Sequence, residues 1–133
     1  MGRPPDIDFG FEWDDRKIWA LDVPVEEILL RELESNLDIM YLDAEETDDW
    51  NLALRELIEN PQKHPSHLAK IQSVQMEYPI AIYHFHGSWK ILDGVHRYCR
   101  ALLEGRKSIG VKKISDAMVF KILKTRNSST PSP

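Results

Sequence analysis

Five consecutive residues, Asp93-Gly94-Val95-His96-Arg97, stand where a β-forming run gives way to a helical pattern, and three of them carry side chains that could do chemistry. We call these five residues the box. A helix that begins directly after a strand points its first free amides beyond the strand end, where an anion can bind. Gly94 leaves the backbone open to close approach, and Val95 and His96 carry first-turn amides. A charged hydrogen bond from Arg97 contributes about 1.5–3 kcal/mol, compared with about 0.3–1 kcal/mol from the helix dipole. The box therefore predicts a phosphate site in which Arg97 decides the affinity.

Two side chains of the box are also candidates for catalysis. His96 can donate to a phosphate oxygen when protonated, or move a proton when neutral. Asp93 can orient a metal-bound phosphate or act as a general base toward a hydroxyl group. Each has a structural alternative, because Asp-Gly pairs are common in turns and an arginine in a first helical turn is commonly solvated. Their combination within five residues favours the functional interpretation.

A zinc site is an alternative use of the histidines. His84 and His86 alternate on one face of a predicted strand, and His96 and Cys99 share one helix face, so four zinc ligands can in principle converge. The spacing permits such a site without being diagnostic of it. In the simpler interpretation, His84 and His86 lie at the exposed lip of a hairpin and Cys99 is a buried structural thiol.

The sequence on both sides of the box predicts the elements that position it. Residues 80–85 and 89–92 are rich in β-forming residues and flank the turn residues His86-Gly87-Ser88, which predicts a hairpin. Over residues 95–103 the apolar positions recur every three or four residues, and Gly105 follows where a C-terminal helix glycine belongs. The box should therefore lie between a strand and a helix.

Other elements are predicted further from the box. Residues 109–114 form a strand pattern, after which Ser115 or Asp116 can cap a final helix. Residues 17–23 also have the character of a short strand. Residues 26–36 carry apolar side chains at helical spacing, which predicts a helix.

The middle of the chain predicts two more helices. Thr47 or Asp48 can cap the first, which carries one apolar stripe, and Ser66 can cap the second. His64 and His67 lie at the start of that second helix. They are interpreted most simply as loop and cap residues.

Length and composition favour a single domain in the cytoplasm. A chain of 133 residues with 42% hydrophobic content can bury one modest core, which we place at residues 17–124. Residues 1–16 read as a flexible acidic arm that can dock an aromatic side chain, and residues 125–133 read as a disordered tail. There is no apolar leader or membrane-length apolar run, and one cysteine, Cys99, cannot form an internal disulfide.

Charge is distributed unevenly along the chain. Of the 22 acidic residues, 18 lie before position 61, whereas 10 of the 17 basic residues lie after position 85. This asymmetry predicts either two faces that attract each other or a basic surface for an anionic ligand. Nucleic acid is a further alternative, which the acidic half disfavours by repulsion. The basic residues that would form such a patch are Lys90, Arg100, Arg106, Lys107, Lys112 and Lys113.

Residues 91–101, with Pro79-Ile80 upstream and Gly105 and residues 109–114 downstream, resemble the core of the ParB/sulfiredoxin superfamily, which includes the ParB-like nuclease domain. Residues 21–28 are similar to the opening strand and turn of that superfamily. The resemblance implies a small α/β or α+β domain, with a mixed sheet and flanking helices. It also implies that the box holds the phosphates of a nucleotide.

Departures from the family pattern narrow the implied function. Sulfiredoxins have a catalytic cysteine immediately before the histidine of the box, but Val95 stands at that position here. Partition ParB proteins resemble the box at Gly94, Arg97 and Ala101, yet they continue into further domains that this sequence does not contain. Neither sulfiredoxin activity nor partition-clamp behaviour is therefore expected.

The Asp-Gly-x-His-Arg form of the box resembles small-molecule kinases of the superfamily, including free-serine kinases. That resemblance implies a nucleotide-dependent phosphotransferase that takes ATP, ADP or CTP with Mg²⁺ and uses Asp93 at the substrate hydroxyl. It also implies a second acid after the first strand, either Glu26 or Glu27. A non-catalytic interaction or nucleic-acid-binding module is the alternative.

Overall fold

A four-stranded sheet organises the computed structural model, which describes residues 4–44 and 50–125. The strands lie in the order β1-β4-β2-β3, with β1 antiparallel to β4, β4 parallel to β2, and β2 antiparallel to β3. This confirms the expected mixed sheet. The strands are β1 (Val25–Leu29), β2 (Ile80–Phe85), β3 (Ser88–Asp93) and β4 (Ser108–Ile114).

Short helices flank both faces of the sheet, as expected. The longest 3₁₀ segment is Leu30–Asp38, and shorter 3₁₀ turns lie at Pro5–Ile7, Pro61–Lys63 and Asp116–Met118. No helix in the described part of the chain is both long and apolar enough to cross a membrane. The α-helices are α1 (Asp15–Ala20), α2 (Leu54–Glu59), α3 (Pro65–Ser73), α4 (Val95–Leu103) and α5 (Val119–Ile122).

The core is divided between the two faces because successive strand residues point to opposite sides of a sheet. On one face, Ile80, Ile82 and Val111 pack with residues of α2, α3 and α4. On the other face, Ala81 and Ile114 pack with residues of the N-terminal segment, α1 and α5. A sheet covered on both sides leaves its strand ends as the accessible places for a ligand.

The hairpin and the helix after the box are confirmed. The turn between β2 and β3 places His86 and Gly87 at φ values of 52° and 84°, the left-handed conformation that tight hairpin turns require. After α4, the amide of Gly105 donates to Leu102 and that of Arg106 donates to Ala101, which closes the helix. Local turn chemistry thus fixes the elements around the box.

The predicted strand at residues 17–23 is wrong, because most of it belongs to α1. The carboxylate of Asp14 accepts a hydrogen bond of 2.9 Å from the amide of Arg16 and caps the helix. Ile18 is the buried residue of α1, while Trp19 beside it is exposed. The neighbouring apolar residues Ile18 and Trp19 were therefore misinterpreted as part of a strand.

The predicted helix at residues 26–36 is also wrong. Its first part is β1, which pairs with β4 along five residues, so tertiary pairing overrides the helical spacing. The remainder is the 3₁₀ segment, in which Leu30, Leu33 and Asn36 are buried. Their spacing of three residues matches the period of a 3₁₀ helix rather than that of an α-helix.

Several predicted helix caps differ from those observed. Thr47 and Asp48 lie outside the described residues, and α2 begins after Ala53. Ser66 is not a cap, because Pro65 occupies the first position of α3, where its missing N–H costs nothing. Ser115 precedes a 3₁₀ turn without a side-chain capping bond.

The described part of the predicted N-terminal arm packs on the body, as the expected aromatic docking requires. Ile7 and Phe9 are buried, and the ring of Phe9 lies 5.5 Å from that of Trp13 and 4.8 Å from that of Phe85, measured between centroids. The boundary at residue 16 therefore falls inside a packed segment rather than between an arm and a domain.

The side chains of Asn36 and Tyr41 form hydrogen bonds with backbone groups at the outer edge of β3, the last strand of the sheet. The buried amide of Asn36 donates to the carbonyl of Trp89 at 2.8 Å, and the hydroxyl of Tyr41 accepts from the amide of Ile91 at 2.8 Å. Tyr41 in turn donates to the amide oxygen of Asn36. These bonds satisfy backbone groups that an outermost strand would otherwise leave to water.

Candidate active site

A cavity of about 320 Å³ opens where β3 ends and α4 begins, and all five residues of the box line it. We call it the box cavity. Its position matches the predicted junction between strand and helix. The described residues that join the box in lining it come largely from distant parts of the chain: Ile7, Trp13, Asp15, Tyr41, Trp50, Val74, Ile91 and Leu92.

The N-terminus of α4 has no side-chain cap. Gly94 is the N-cap residue, with a φ of 103°, and the helix carries nine residues. A Cβ at Gly94 would lie 2.5 Å from Cγ2 of Ile80, so packing against β2 also demands glycine here. The predicted role of Gly94 in ligand approach is therefore joined by a structural role that the sequence did not reveal.

The guanidinium of Arg97 lies at the edge of the box cavity. One nitrogen, Nη1, donates to the carbonyl of Pro79 at 2.9 Å and lies 3.8 Å from the carboxylate oxygen Oδ2 of Asp93. An arginine has five N–H donors, so the bond to Pro79 leaves several for a ligand. The carbonyl of Pro79 therefore fixes the position of the Arg97 guanidinium and leaves other N–H donors available for a ligand.

Asp93 is held by a tryptophan. The indole Nε1 of Trp19 donates to Oδ2 of Asp93 at 2.9 Å. The side chain of Asp93 is only 13% exposed, and among the described residues no group donates to its other oxygen, Oδ1. One carboxylate oxygen is thus fixed, and the second can accept a hydrogen bond from a ligand.

A second carboxylate in the box cavity comes from Asp15, at the first position of α1. Burial, and next the neighbouring charge of Asp93, raise the pKa of Asp15 above its ordinary value. The predicted second acids lie elsewhere, because Glu26 pairs with Lys113 at 3.1 Å and Glu27 accepts from a serine of β4. Asp15, rather than Glu26 or Glu27, is therefore the second carboxylate that lines this cavity.

His96 belongs to a chain of hydrogen bonds. Its Nε2 lies 3.0 Å from Nδ1 of His67, whose Nε2 lies 2.7 Å from the backbone carbonyl of Asp43. His67 is buried, on α3. The interpretation of His67 as a simple cap residue is therefore incomplete, because it positions the imidazole of the box.

The carbonyl at the end of this chain fixes its protons. A carbonyl only accepts, so Nε2 of His67 carries a hydrogen, and in the neutral ring Nδ1 is then the acceptor. When both rings are neutral, Nε2 of His96 therefore donates to it, which leaves Nδ1 of His96 as an acceptor. Burial, and next the neighbouring His67, lower the pKa of His96 to about 4. At neutral pH His96 is thus suited to accept a proton, and the predicted charged donation to phosphate is disfavoured.

The four candidate zinc ligands do not come together. His96 pairs with His67, Cys99 is fully buried in the core, and His84 is exposed against the ring of Trp89. Burial raises the pKa of the Cys99 thiol to about 12, as expected for a structural cysteine. Within residues 4–44 and 50–125, no three His, Cys, Asp or Glu side chains are grouped to hold a metal.

Most of the predicted basic patch is engaged internally. Arg100 and Arg106 both donate to Glu104, and Lys113 pairs with Glu26. Lys90 is buried, and Lys112 binds three backbone carbonyls. The charge asymmetry is therefore used partly within the molecule, where the acidic β1 pairs with the basic β4.

Sequence reasoning missed three residues that interact with the box, and a fourth, Asp43, that binds one of those three. Asp15, Trp19 and His67 lie from 29 to 78 positions before the box residues with which they interact, and Asp43 accepts from His67. The cap at Asp14 was the one local signal, since reading it as a helix start would have placed Asp15 and Trp19 one turn apart. Nothing local marks Asp43 or His67.

No protein-family model matches the chain, no curated protein matches its sequence, and no solved structure matches it. The ParB/sulfiredoxin resemblance therefore depends on the sequence pattern of residues 91–101 and the segments named with it. What the box does has to be argued from the geometry of the cavity.

Proposed function

We propose that this domain binds the phosphate groups of a nucleotide such as ATP, ADP or CTP at the box. The observation that supports the proposal is the uncapped N-terminus of α4, which opens beside the head of Arg97 into a cavity. Free first-turn amides and a guanidinium are the two donor types that proteins most often aim at phosphate. The amides supplied are those of Val95, His96 and Arg97.

Magnesium fits the carboxylates of this cavity. Mg²⁺ is commonly held by one or two carboxylates together with phosphate oxygens and water, and Asp15 can supply one while Oδ1 of Asp93 stays available to the substrate hydroxyl. The pKa of Asp15 is raised by burial and by the charge of Asp93, so a cation bound to Asp15 would relieve an unfavourable negative charge. When bound, Mg²⁺ would neutralise charge on the phosphates.

Phosphoryl transfer to a small hydroxyl compound is the reaction that the same residues support. Oδ1 of Asp93 would accept the hydroxyl proton while the hydroxyl oxygen forms a bond to the terminal phosphorus. The bond from that phosphorus to its bridging oxygen breaks, and the shortened nucleotide leaves. Trp19 holds the other carboxylate oxygen and so orients Asp93 for this role.

Binding is tested first, by calorimetry with ATP, ADP and CTP in the presence of Mg²⁺. At least one of the three should bind the folded protein with a dissociation constant in the micromolar to millimolar range. If none of them releases or absorbs heat while circular dichroism shows a folded protein, the proposal is rejected.

Transfer is tested separately with Asp93→Asn. Labelled terminal phosphate is followed from the nucleotide to free serine and to water, with Asp116→Asn as the matched control because Asp116 accepts from Tyr83 outside the cavity. A kinase should lose turnover and keep nucleotide affinity in Asp93→Asn, and keep both in the control. Equal turnover in all three proteins would leave binding as the whole function.

A further inference from the structure

A second cavity of about 440 Å³ lies on the other side of Asp93 and Arg97, and those two residues line both cavities. Its volume falls within the range of about 300–1,000 Å³ that is usual for small-molecule sites. Trp19, Tyr78, Pro79 and Ala81 contribute to its walls, and we call it the aromatic cavity. The boundary between the two cavities is thus a carboxylate and a guanidinium.

Two large side chains in this cavity are exposed to an unusual degree. Trp19 is 58% exposed and Tyr78 is 55% exposed, although tryptophan is highly buried on average and tyrosine is intermediate. Both line the aromatic cavity rather than lying scattered on the surface. Flat aromatic faces stack on nucleobases whatever the base, because every base has a π-face.

The position of Trp19 is fixed before any ligand binds. Its indole nitrogen is bound to Asp93, and the ammonium group of Lys112 binds the carbonyls of Ile18, Trp19 and Leu21. A lysine on the last carbonyls of a helix stabilises that helix end. A fixed aromatic face loses little freedom on binding, which favours affinity.

We propose that the aromatic cavity is the nucleobase subsite of the nucleotide whose phosphates occupy the box cavity. This inference rests on the proposed function, and it assigns the two halves of one ligand to two adjoining cavities. The negatively charged phosphates would bind the first-turn amides of α4, the guanidinium of Arg97 and Mg²⁺ held by a carboxylate. The flat, neutral nucleobase would bind in the aromatic cavity, against Trp19, Tyr78 and Pro79.

The deciding experiment compares ligands that share only one half. Calorimetry is run with ATP, with inorganic tripolyphosphate, which lacks the base, and with adenosine, which lacks the phosphates. Tyr78→Ala should weaken ATP binding about 5- to 150-fold, the range for loss of one base-stacking contact, and leave tripolyphosphate binding unchanged. Phe120→Ala is the matched control, because Phe120 is 70% exposed and lies outside both cavities.

A second variant separates stacking from the bond to Asp93. Trp19→Phe keeps an aromatic face and removes the indole donor, so ATP affinity should be largely retained, whereas Trp19→Ala should lose it as Tyr78→Ala does. The fluorescence change on adding adenosine should disappear in Trp19→Phe, although the other tryptophans remain.

The outcomes of the two proposals are distinguishable. Equal weakening of ATP and tripolyphosphate by Tyr78→Ala, or no weakening of either, would overturn the base subsite and leave the phosphate site standing. Binding of adenosine without binding of tripolyphosphate would retain the base subsite and reject the phosphate site. If none of the three ligands binds, both the base subsite and the phosphate site are rejected.

Discussion

The two cavities that meet at Asp93 and Arg97 differ in the charged groups that line them and in how exposed their aromatic rings are. The box cavity also holds Asp15, His96 and the first-turn amides of α4, so it concentrates groups that carry or move charge. Both cavities have aromatic and apolar walls, but the aromatic cavity has two strongly exposed rings, and the ammonium group of its Lys112 is bound to backbone carbonyls. The difference shows how two charged residues at a boundary can separate a cavity that contains several further charge-carrying groups from one that contains few. A ligand with one charged and one flat half would be oriented by that boundary alone.

The largest effect that would break this arrangement is expected from Gly94→Ala. The change forces a side chain into a positive φ and within 2.5 Å of Ile80, so both strain and overpacking oppose it. We expect a loss of roughly 2–5 kcal/mol in the free energy of unfolding, measured with urea.

The control for that loss is Gly105→Ala. Gly105 has a φ of 72° but no atom within 4 Å of the position that a Cβ would take. Only the conformational cost applies, about 1–2 kcal/mol. If the two variants are equally destabilised, packing against Ile80 does not position the box.

A pH titration isolates the box cavity. The folded-state pKa of His96, about 4, lies below its ordinary value near 6.5, so the unfolded chain binds more protons between those values. The stability that neutral His96 contributes is present above pH 6.5 and is lost as the pH falls toward 4, by up to about 3 kcal/mol. His96→Gln should therefore reduce the loss of stability between pH 7 and pH 4, measured by urea unfolding at each pH.

His84→Gln is the matched control for this titration, because His84 is exposed on the hairpin. Its pH dependence should follow that of the unaltered protein. A His96→Gln profile identical to the control would contradict the buried, neutral histidine that the hydrogen-bond chain requires.

Arg97→Ala tests the boundary itself. Loss of a charged hydrogen bond of about 1.5–3 kcal/mol should weaken both ATP and tripolyphosphate about 10- to 150-fold in calorimetry. Arg100→Ala is the control, since Arg100 lies on the same helix but pairs with Glu104 outside the cavity. Similar affinities in the two variants would remove Arg97 from the site.

The smallest effects separate the observed second acid from the predicted one. Asp15→Asn removes a carboxylate whose raised pKa signals an unfavourable charge, so the urea midpoint at pH 7 should rise while Mg²⁺-nucleotide affinity falls several-fold. Glu26→Gln breaks an exposed pair with Lys113 and should change stability by less than about 1 kcal/mol and affinity not at all. A reversed result would restore Glu26 as the assisting acid.

The fold around the box was predictable from sequence because its signals are local. The turn at His86 and Gly87, the repeat over residues 95–103 and the glycine at 105 each act within a few residues. The front half was not, because β1 depends on pairing with β4 and the 3₁₀ segment depends on burial of Leu33 and Asn36.

The same division applies to the site. Asp93 to Arg97 could be recognised because strand, turn and helix meet within five residues. The residues that hydrogen-bond to these side chains could not be recognised, because Trp19 lies 74 positions from Asp93 and His67 lies 29 positions from His96. Such partners are selected by the packing of α1 and α3 on the sheet, which no local pattern records.

The side chains that bind the border of β3 have a consequence for self-association. An outermost strand with free amides and carbonyls is a template on which another chain can add a strand, and so a starting point for aggregation. Here Asn36 and Tyr41 already occupy the donor and acceptor positions at Trp89 and Ile91. Copies of this chain therefore cannot extend the sheet across these positions of β3 without first breaking partly buried hydrogen bonds, which protects the strand that leads into the box.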